Sequence, residues 1–284
     1  MQEILVPTDF SPNAFKAIAY ASEIAKTTGA SLHILHVIEP ALNMATMQTD
    51  TSNKKIIDDR IEKLEQTLKS TSAVFPEIKL IPFLSGGKVI ESILNYAAEK
   101  EIDLIVMGTK GAGGLKQFFT GTITSGVVSQ TTVPVLTIPA SLEICPPEIV
   151  LLATNRFEKK ETLLNKIFEI PKIFSAQVHV VVFKETNGDE NADYIYNEDQ
   201  LQDYLNILKD GYPEIVFEGA LLQGEDFERE IEEYCSRAGA DMIAMVPYPK
   251  SAFEQLFERS ETKNMILHTT WPVLAVPAIP SINE

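Results

Sequence analysis

Short apolar runs alternate along this chain with segments whose apolar residues recur at helical spacing. EILVP, residues 3–7, is the first run, and Ser11 and Pro12 follow it as an N-cap and first-turn pair. Ala14, Ile18, Ala21 and Ala25 then recur on one helical face, and Gly29 stands where a left-handed C-cap belongs. The same reading predicts strands at SLHILHVI (31–38), IKLIPFL (78–84), DLIVMG (103–108) and PVLTIP (134–139), with helices over 58–69, 89–99 and 122–130. Strands separated by helices pair in parallel through right-handed crossovers, with helices on both faces. The pattern therefore predicts a doubly wound α/β domain of five strands.

It occurs twice. ILVPTDF (4–10) matches VLLATNR (150–156), and ASLHILHVIE (30–39) matches AQVHVVVFKE (176–185), both at an offset of 146 residues. Further on, EIDLIVMG matches GADMIAMV and VPVLTIP matches WPVLAVP at an offset of 138, so the second copy is eight residues shorter in between. The missing length fits PALNMATMQTDTSNKK (40–55), a polar, aperiodic stretch that reads as a surface loop. ASLEICPPE (140–148), with Pro146 and Pro147, reads as a linker, which sets the expected domains at 1–143 and 147–284.

Composition narrows the function classes. With 45% hydrophobic and 23% charged residues in 284, the chain can bury sizeable cores. Its net charge of −16 argues against nucleic acid, whose phosphates need a basic face. Residues 1–143 carry 12 basic and 15 acidic side chains, which leaves −13 of the total for the remainder. No apolar run approaches a membrane span and MQEILVPTD has no leader pattern, so a cytoplasmic chain without membrane contact is expected. Cys145 and Cys235 are far apart and outside any C-x-x-C or Cys/His cluster, which suggests reduced thiols and no zinc site.

Chemistry concentrates after the fourth strand. MGTKGAGGLKQFFTGT (107–122) holds five of the chain's 14 glycines. Ligands of doubly wound sheets bind beyond the carboxyl ends of the strands, where strand order reverses, and such a reversal would bring Asp9 to Gly108. The spacing is G-x2-G-x9-G-T over Gly108, Gly111, Gly121 and Thr122. Gly108 and Gly111 remove side chains where backbone N–H groups would face an anion. Gly121 and Thr122 open a helix whose free N–H groups favour phosphate, and the hydroxyls of Thr122 and Thr124 are further candidate donors. Lys110 and Lys116 read equally well as phosphate partners or as solvated lysines.

This spacing, with VPTDFS at the end of the first strand and a terminal PVL strand, resembles the ATP-binding branch of the universal stress protein family. The resemblance covers the first half fully and the second in pattern, so the whole looks like a tandem universal stress protein of Rossmann-like, adenine nucleotide alpha hydrolase-like fold. It implies ATP as the ligand, with Mg²⁺ as a candidate companion ion. Carried over residue by residue, it implies that Pro7, Thr8 and Asp9 line the adenosine end and that Val37 meets the adenine through its backbone. Gly108, Gly111, Gly121 and Thr122 would hold ribose and phosphates, with Met107, Ile123 and Thr124 completing the set. Domains of this family commonly pair through their fifth strands, which implies a pseudo-dimer within one chain and leaves room for a further homodimer.

The second copy departs from the signature. Val246 stands for Gly108, Pro249 for Gly111 and Arg259 for Gly121, while Asn155 replaces Asp9 and only Ser260 keeps the hydroxyl. Val246 returns a branched side chain and Pro249 deletes an N–H donor. This half is expected to have lost nucleotide binding and to serve a structural or partner-binding role. SGGKV (85–89) reads as a strand-to-helix turn, and no G-x4-G-K-[S/T] loop is present. His33, His36 and His179 lie in strand runs and His268 on a predicted helix, where packing is their expected role; Trp271 is expected to pack at a sheet edge.

Three functions fit these residues. The first is a stress-response regulator that holds ATP or another adenine nucleotide in its first domain and thereby alters contact with an unidentified protein partner. The second is a slow nucleotide hydrolase or adenylating enzyme using Asp9 for metal. The third is an acidic interaction scaffold without nucleotide.

Overall fold

A computed structural model describes residues 1–39, 50–109, 122–154, 156–185, 190–247, 265 and 269–278, leaving aside the side chains of 50–53, 122, 185 and 190–197. The chain divides into two compact units, Met1–Ala140 and Ser141–Glu284.

Unit 1 runs β1 (Glu3–Pro7), α1 (Pro12–Thr28), β2 (Ser31–Ile38), α2 (Asp50–Val74), β3 (Leu80–Gly86), α3 (Val89–Glu99), β4 (Leu104–Gly108), α4 (Thr122–Gln130) and β5 (Val135–Ile138). Its strands pair in parallel in the order β3-β2-β1-β4-β5. The chain moves outward from β1 to β3, then returns to the other side of β1, so strand order reverses between β1 and β4. The inner strands are apolar because both faces are covered: Ile4, Leu5, Leu32, Ile34, Ile105 and Val106 expose nothing. Each such side chain contributes about 1.5–3 kcal/mol by leaving water. Pro82 sits in β3, an edge strand within the unit, where a missing N–H is tolerated.

Caps fix where α1 begins and ends. Ser11 Oγ accepts from Ala14 N at 3.2 Å, Pro12 occupies the first turn, and Gly29, at φ 75°, donates its N–H to the Ala25 carbonyl. Helix α2 is longer than its apolar periodicity indicates, and 50–55, expected in a loop, are helical. At its far end the hydroxyls of Ser70 and Thr71 donate to the Thr67 carbonyl and Thr67 donates to Lys63, so residues that look like breakers bond within their own helix. Within SGGKV, Ser85 and Gly86 end β3 and Val89 opens α3, so Gly87, at φ 136°, and Lys88 make the turn between them.

Unit 2 repeats the plan with β6 (Ile149–Ala153), α5 (Glu161–Phe174), β7 (Gln177–Glu185), α6 (Glu190–Gly211), β8 (Phe217–Gly224), α7 (Phe227–Ala238), β9 (Met242–Met245) and β10 (Val273–Ala275). Its parallel order is β8-β7-β6-β9-β10. The repetition extends to single hydrogen bonds. Asp103 Oδ2 accepts from Gln2 N and Glu3 N, as Asp241 Oδ2 accepts from Glu148 N and Ile149 N. A buried imidazole recurs as well. His33 Nδ1 lies 2.8 Å from the Tyr96 hydroxyl and His179 Nδ1 lies 3.1 Å from that of Tyr234. The carboxylate at Nε2 comes from different neighbours: Glu3 of β1 at 2.6 Å in unit 1, Glu218 of β8 at 3.6 Å in unit 2. Cys145 is exposed and Cys235 buried, both free, and no helix among the described residues is long and apolar enough to cross a membrane.

Candidate functional site

The carboxyl ends of β1 and β4 meet the first turns of α1 and α4 at the reversal of strand order. The β1–β4 ladder covers two positions, Ile4↔Leu104 and Leu5↔Ile105, so the last residues of both strands lie beyond it. Past half-buried Pro7 the chain turns sharply. Thr8 N donates to the Leu35 carbonyl at 2.8 Å, Thr8 Oγ1 accepts from Phe10 N at 3.0 Å, and Asp9 Oδ1 accepts from Ser11 N at 3.0 Å. Phe10 takes φ 63°, a left-handed conformation that costs a non-glycine residue about 1–2 kcal/mol. Its ring lies 4.4 Å from that of His36, centroid to centroid. His36 Nδ1–H donates to the Thr8 carbonyl at 2.7 Å, a geometry that sets the tautomer because a carbonyl only accepts. Burial holds the His36 pKa below its ordinary value, against the pull of the Thr8 bond, so the ring is neutral at pH 7.

Gly108 joins the two helices. A Cβ placed on it would stand 2.7 Å from Asn13 Nδ2, 2.9 Å from Asn13 Cγ and 3.1 Å from the Asn13 carbonyl oxygen. Only glycine fits against that amide, so a packing demand adds to whatever a ligand requires there. The Gly108 carbonyl accepts from buried Thr124 Oγ1 at 2.9 Å, which ties β4 to the first turn of α4. A hydroxyl has one proton, and that of Thr124 is spent on Gly108, so this side chain meets a ligand as an acceptor unless the bond is broken.

The sequence-derived set thus comes together in part. Thr8 and Met107 are buried, Pro7, Val37 and Gly108 half-buried, and Asp9 and Ile123 exposed. Val37 lies in β2 opposite Ser85 of β3. Thr122 begins α4. Gly111 and Gly121, with Lys110 and Lys116, lie outside the described residues, as does the side chain of Thr122.

The corresponding corner of unit 2 is built differently. Thr154 repeats Thr8, donating N–H to the Val181 carbonyl and accepting from Arg156 N. Its hydroxyl donates to Glu158 Oε2 at 2.7 Å, and both residues are buried. A carboxylate therefore stands where α1 begins in the first copy, and α5 starts only at Glu161, with no side-chain cap. A buried carboxyl group at this corner takes up the space at the helix start that an anion would use. Val246 follows β9 half-buried; Asn155, Pro249, Arg259, Ser260 and His268 lie outside the described residues.

Comparison with known proteins separates the halves. Residues 1–139 match the model of the universal stress protein family. The chain is 31% identical over 133 residues to a universal stress protein of Thermus aquaticus, covering 47% of this chain and 95% of that protein. Universal stress protein YxiE of Bacillus subtilis is 29% identical over 144 residues, covering 47% of this chain and 96% of its own length. The chain belongs to the universal stress protein family. Both halves share the family's architecture: the crystal structure of a universal stress protein from Archaeoglobus fulgidus aligns over 97% of this chain and 98% of its own, with a TM-score of 0.69 at 19% identity. Among the described residues of this universal stress protein, no three His, Cys, Asp or Glu side chains group as metal ligands.

Sequence reasoning gave Phe10 and Asn13 no part in this corner, and read His36 as a packing residue without its place here. No spacing rule marks them, because each acts through a contact made only on folding. The nearest signal was DFSPNA itself, where an asparagine follows a helix start already capped by Ser11.

Proposed function

We propose that this universal stress protein is a cytoplasmic regulator of stress response that binds one adenine nucleotide, ATP, at the carboxyl end of β1 and β4 in unit 1. The observation that carries the reading is the meeting of two helix starts, the Asp9 turn and Gly108 at the reversal of strand order. It occurs in the unit whose sequence holds the G-x2-G-x9-G-T signature. First-turn N–H groups and helix dipoles suit a phosphate, so these residues fit such a ligand. The adenosine end falls to Pro7, Thr8, Asp9 and Val37. Gly108, Gly111, Gly121 and Thr122 take ribose and phosphates, flanked by Met107, Ile123 and Thr124. Mg²⁺ accompanies the phosphates where ATP carries it. Unit 2 binds no nucleotide: Glu158 is buried at its corner, and its strongly acidic surface serves a protein partner instead. Bound nucleotide acts as a signal, and turnover, with or without Mg²⁺, is slow.

Denaturing the purified full-length chain and identifying released nucleotide by mass spectrometry separates this reading from an empty scaffold. Calorimetry with ATP is expected to give one site per chain. Gly121→Val abolishes it by placing a branched side chain at the helix start, while Arg259→Val leaves affinity within a few-fold. Two equivalent sites, or equal losses from both substitutions, would refute the assignment.

A further inference from the structure

Asn13 packs against Gly108, yet nothing in that contact needs a carboxamide. It is 5% exposed, and among the described residues neither Nδ2 nor Oδ1 of its carboxamide has a hydrogen-bond partner. Cap duty at this helix start belongs to Ser11. Asparagine is a mediocre helix former, and an apolar side chain of similar volume would fill the space without burying two unmatched polar groups. Such groups in a native structure call for an explanation, and a role in contacting a ligand is one. The amide stands at the second position of α1, against Gly108, where the helix's positive end favours an anion. Its counterpart in the second copy, at the same 146-residue offset, is exposed Lys159 beside the buried Glu158 carboxylate.

We infer that Asn13 is a ligand-contacting residue of the unit 1 site, with Nδ2 donating to a phosphate oxygen of the bound nucleotide. The inference rests on the nucleotide reading above and extends it to a residue outside the family signature. An arriving phosphate supplies the acceptor that the amide lacks, and the amide adds a neutral donor to those of the backbone. Because the contact is to phosphate, Asn13 governs how strongly ATP is preferred over adenosine.

The test measures ATP and adenosine affinity by calorimetry on the full chain for wild type, Asn13→Ala and Asn13→Asp, with hydrogen exchange of β1 and β4 amides as a check on the fold. Loss of one such bond is expected to weaken ATP by about tenfold in Asn13→Ala. Asn13→Asp, equal in size but anionic, weakens it further. Adenosine affinity stays within about twofold, because no contact to the nucleoside is removed. Either variant keeping ATP affinity near wild type, or ATP and adenosine weakening in parallel, overturns the inference while leaving the nucleotide site standing. If wild type binds neither compound, the nucleotide reading falls and the inference with it. Should one variant fail the exchange check, the other decides.

Discussion

Replacing Gly108 by alanine asks directly why the first glycine of the signature is a glycine. The added Cβ would lie 2.7 Å from Asn13 Nδ2 and 2.9 Å from Asn13 Cγ, inside any contact real Cβ atoms make, and 3.1 Å from the Asn13 backbone oxygen. Overpacking of this kind costs about 1–3 kcal/mol. Asn13→Ala in the same chain removes both side-chain clashes and leaves only the 3.1 Å backbone approach, which a shift of a few tenths of an ångström relieves. The pair should therefore couple by about 1–2 kcal/mol, with the double variant near the stability of Asn13→Ala alone. Trp271 lies in unit 2, so unit 1 calls for a reporter within its own strands. Native-state hydrogen exchange of the Ile4–Val6 and Leu104–Val106 amides supplies it. Gly108→Ala should speed their exchange by about 10- to 100-fold, and the double variant should return most of it. If the two effects instead add within about 0.5 kcal/mol, Asn13 is not what forbids a side chain at 108.

Two further outcomes follow from the same corner. Thr124→Val leaves the Gly108 carbonyl without its buried partner and should destabilise unit 1 by about 1–3 kcal/mol, whereas Thr124→Ser should recover most of it; equal exchange in both variants would exclude the hydroxyl as the link. Burial, with smaller repulsion from Arg60 and Lys63, holds the His36 pKa below its ordinary 6.5 despite the Thr8 bond and the Asp9 charge. As pH falls below about 6.5 the unfolded chain takes up a proton that the folded ring resists. Stability from this group is therefore present above that pH and declines from there down to the folded pKa. Urea midpoints from pH 7.5 to 5.5 should fall less in His36→Asn than in wild type, and parallel profiles would count against the assignment.

The scaffold was readable because it rests on local rules. Helices at 89–99 and 122–130 show through spacing alone, and Ser11, Pro12 and Gly29 bound α1 as their chemistry dictates. Reading fell short where polarity stood in for conformation. Residues 50–55 look like loop, yet extend α2, because polar side chains on a solvated first turn do not oppose a helix. The 146-residue offset would start α5 at Glu158, but that side chain turns inward to Thr154 and the helix waits until Glu161. In the site, Asp9, Thr8 and Gly108 were visible as types in a pattern. What Gly108 packs against, and which carbonyl His36 serves, depend on residues 95 and 28 positions away in sequence, and no local window contains both partners.

The two buried imidazoles show how such a pair of copies can drift without breaking. Glu3 of β1 serves His33, and the position facing His33 on β3 is Ile81; in the other unit Ile149 stands at the place of Glu3, while Glu218 faces His179 on β8. Acid and isoleucine have changed places across the ring. What is held constant is a negative group within reach of the second nitrogen, not the strand that delivers it. A lineage passing between the two arrangements must go through a chain with both acids or with neither. With both, one extra carboxylate faces solvent at little expense; with neither, a buried ring nitrogen loses its carboxylate neighbour. The open road runs through excess, because a spare exposed carboxylate costs little whereas a buried polar ring left without its partner costs more.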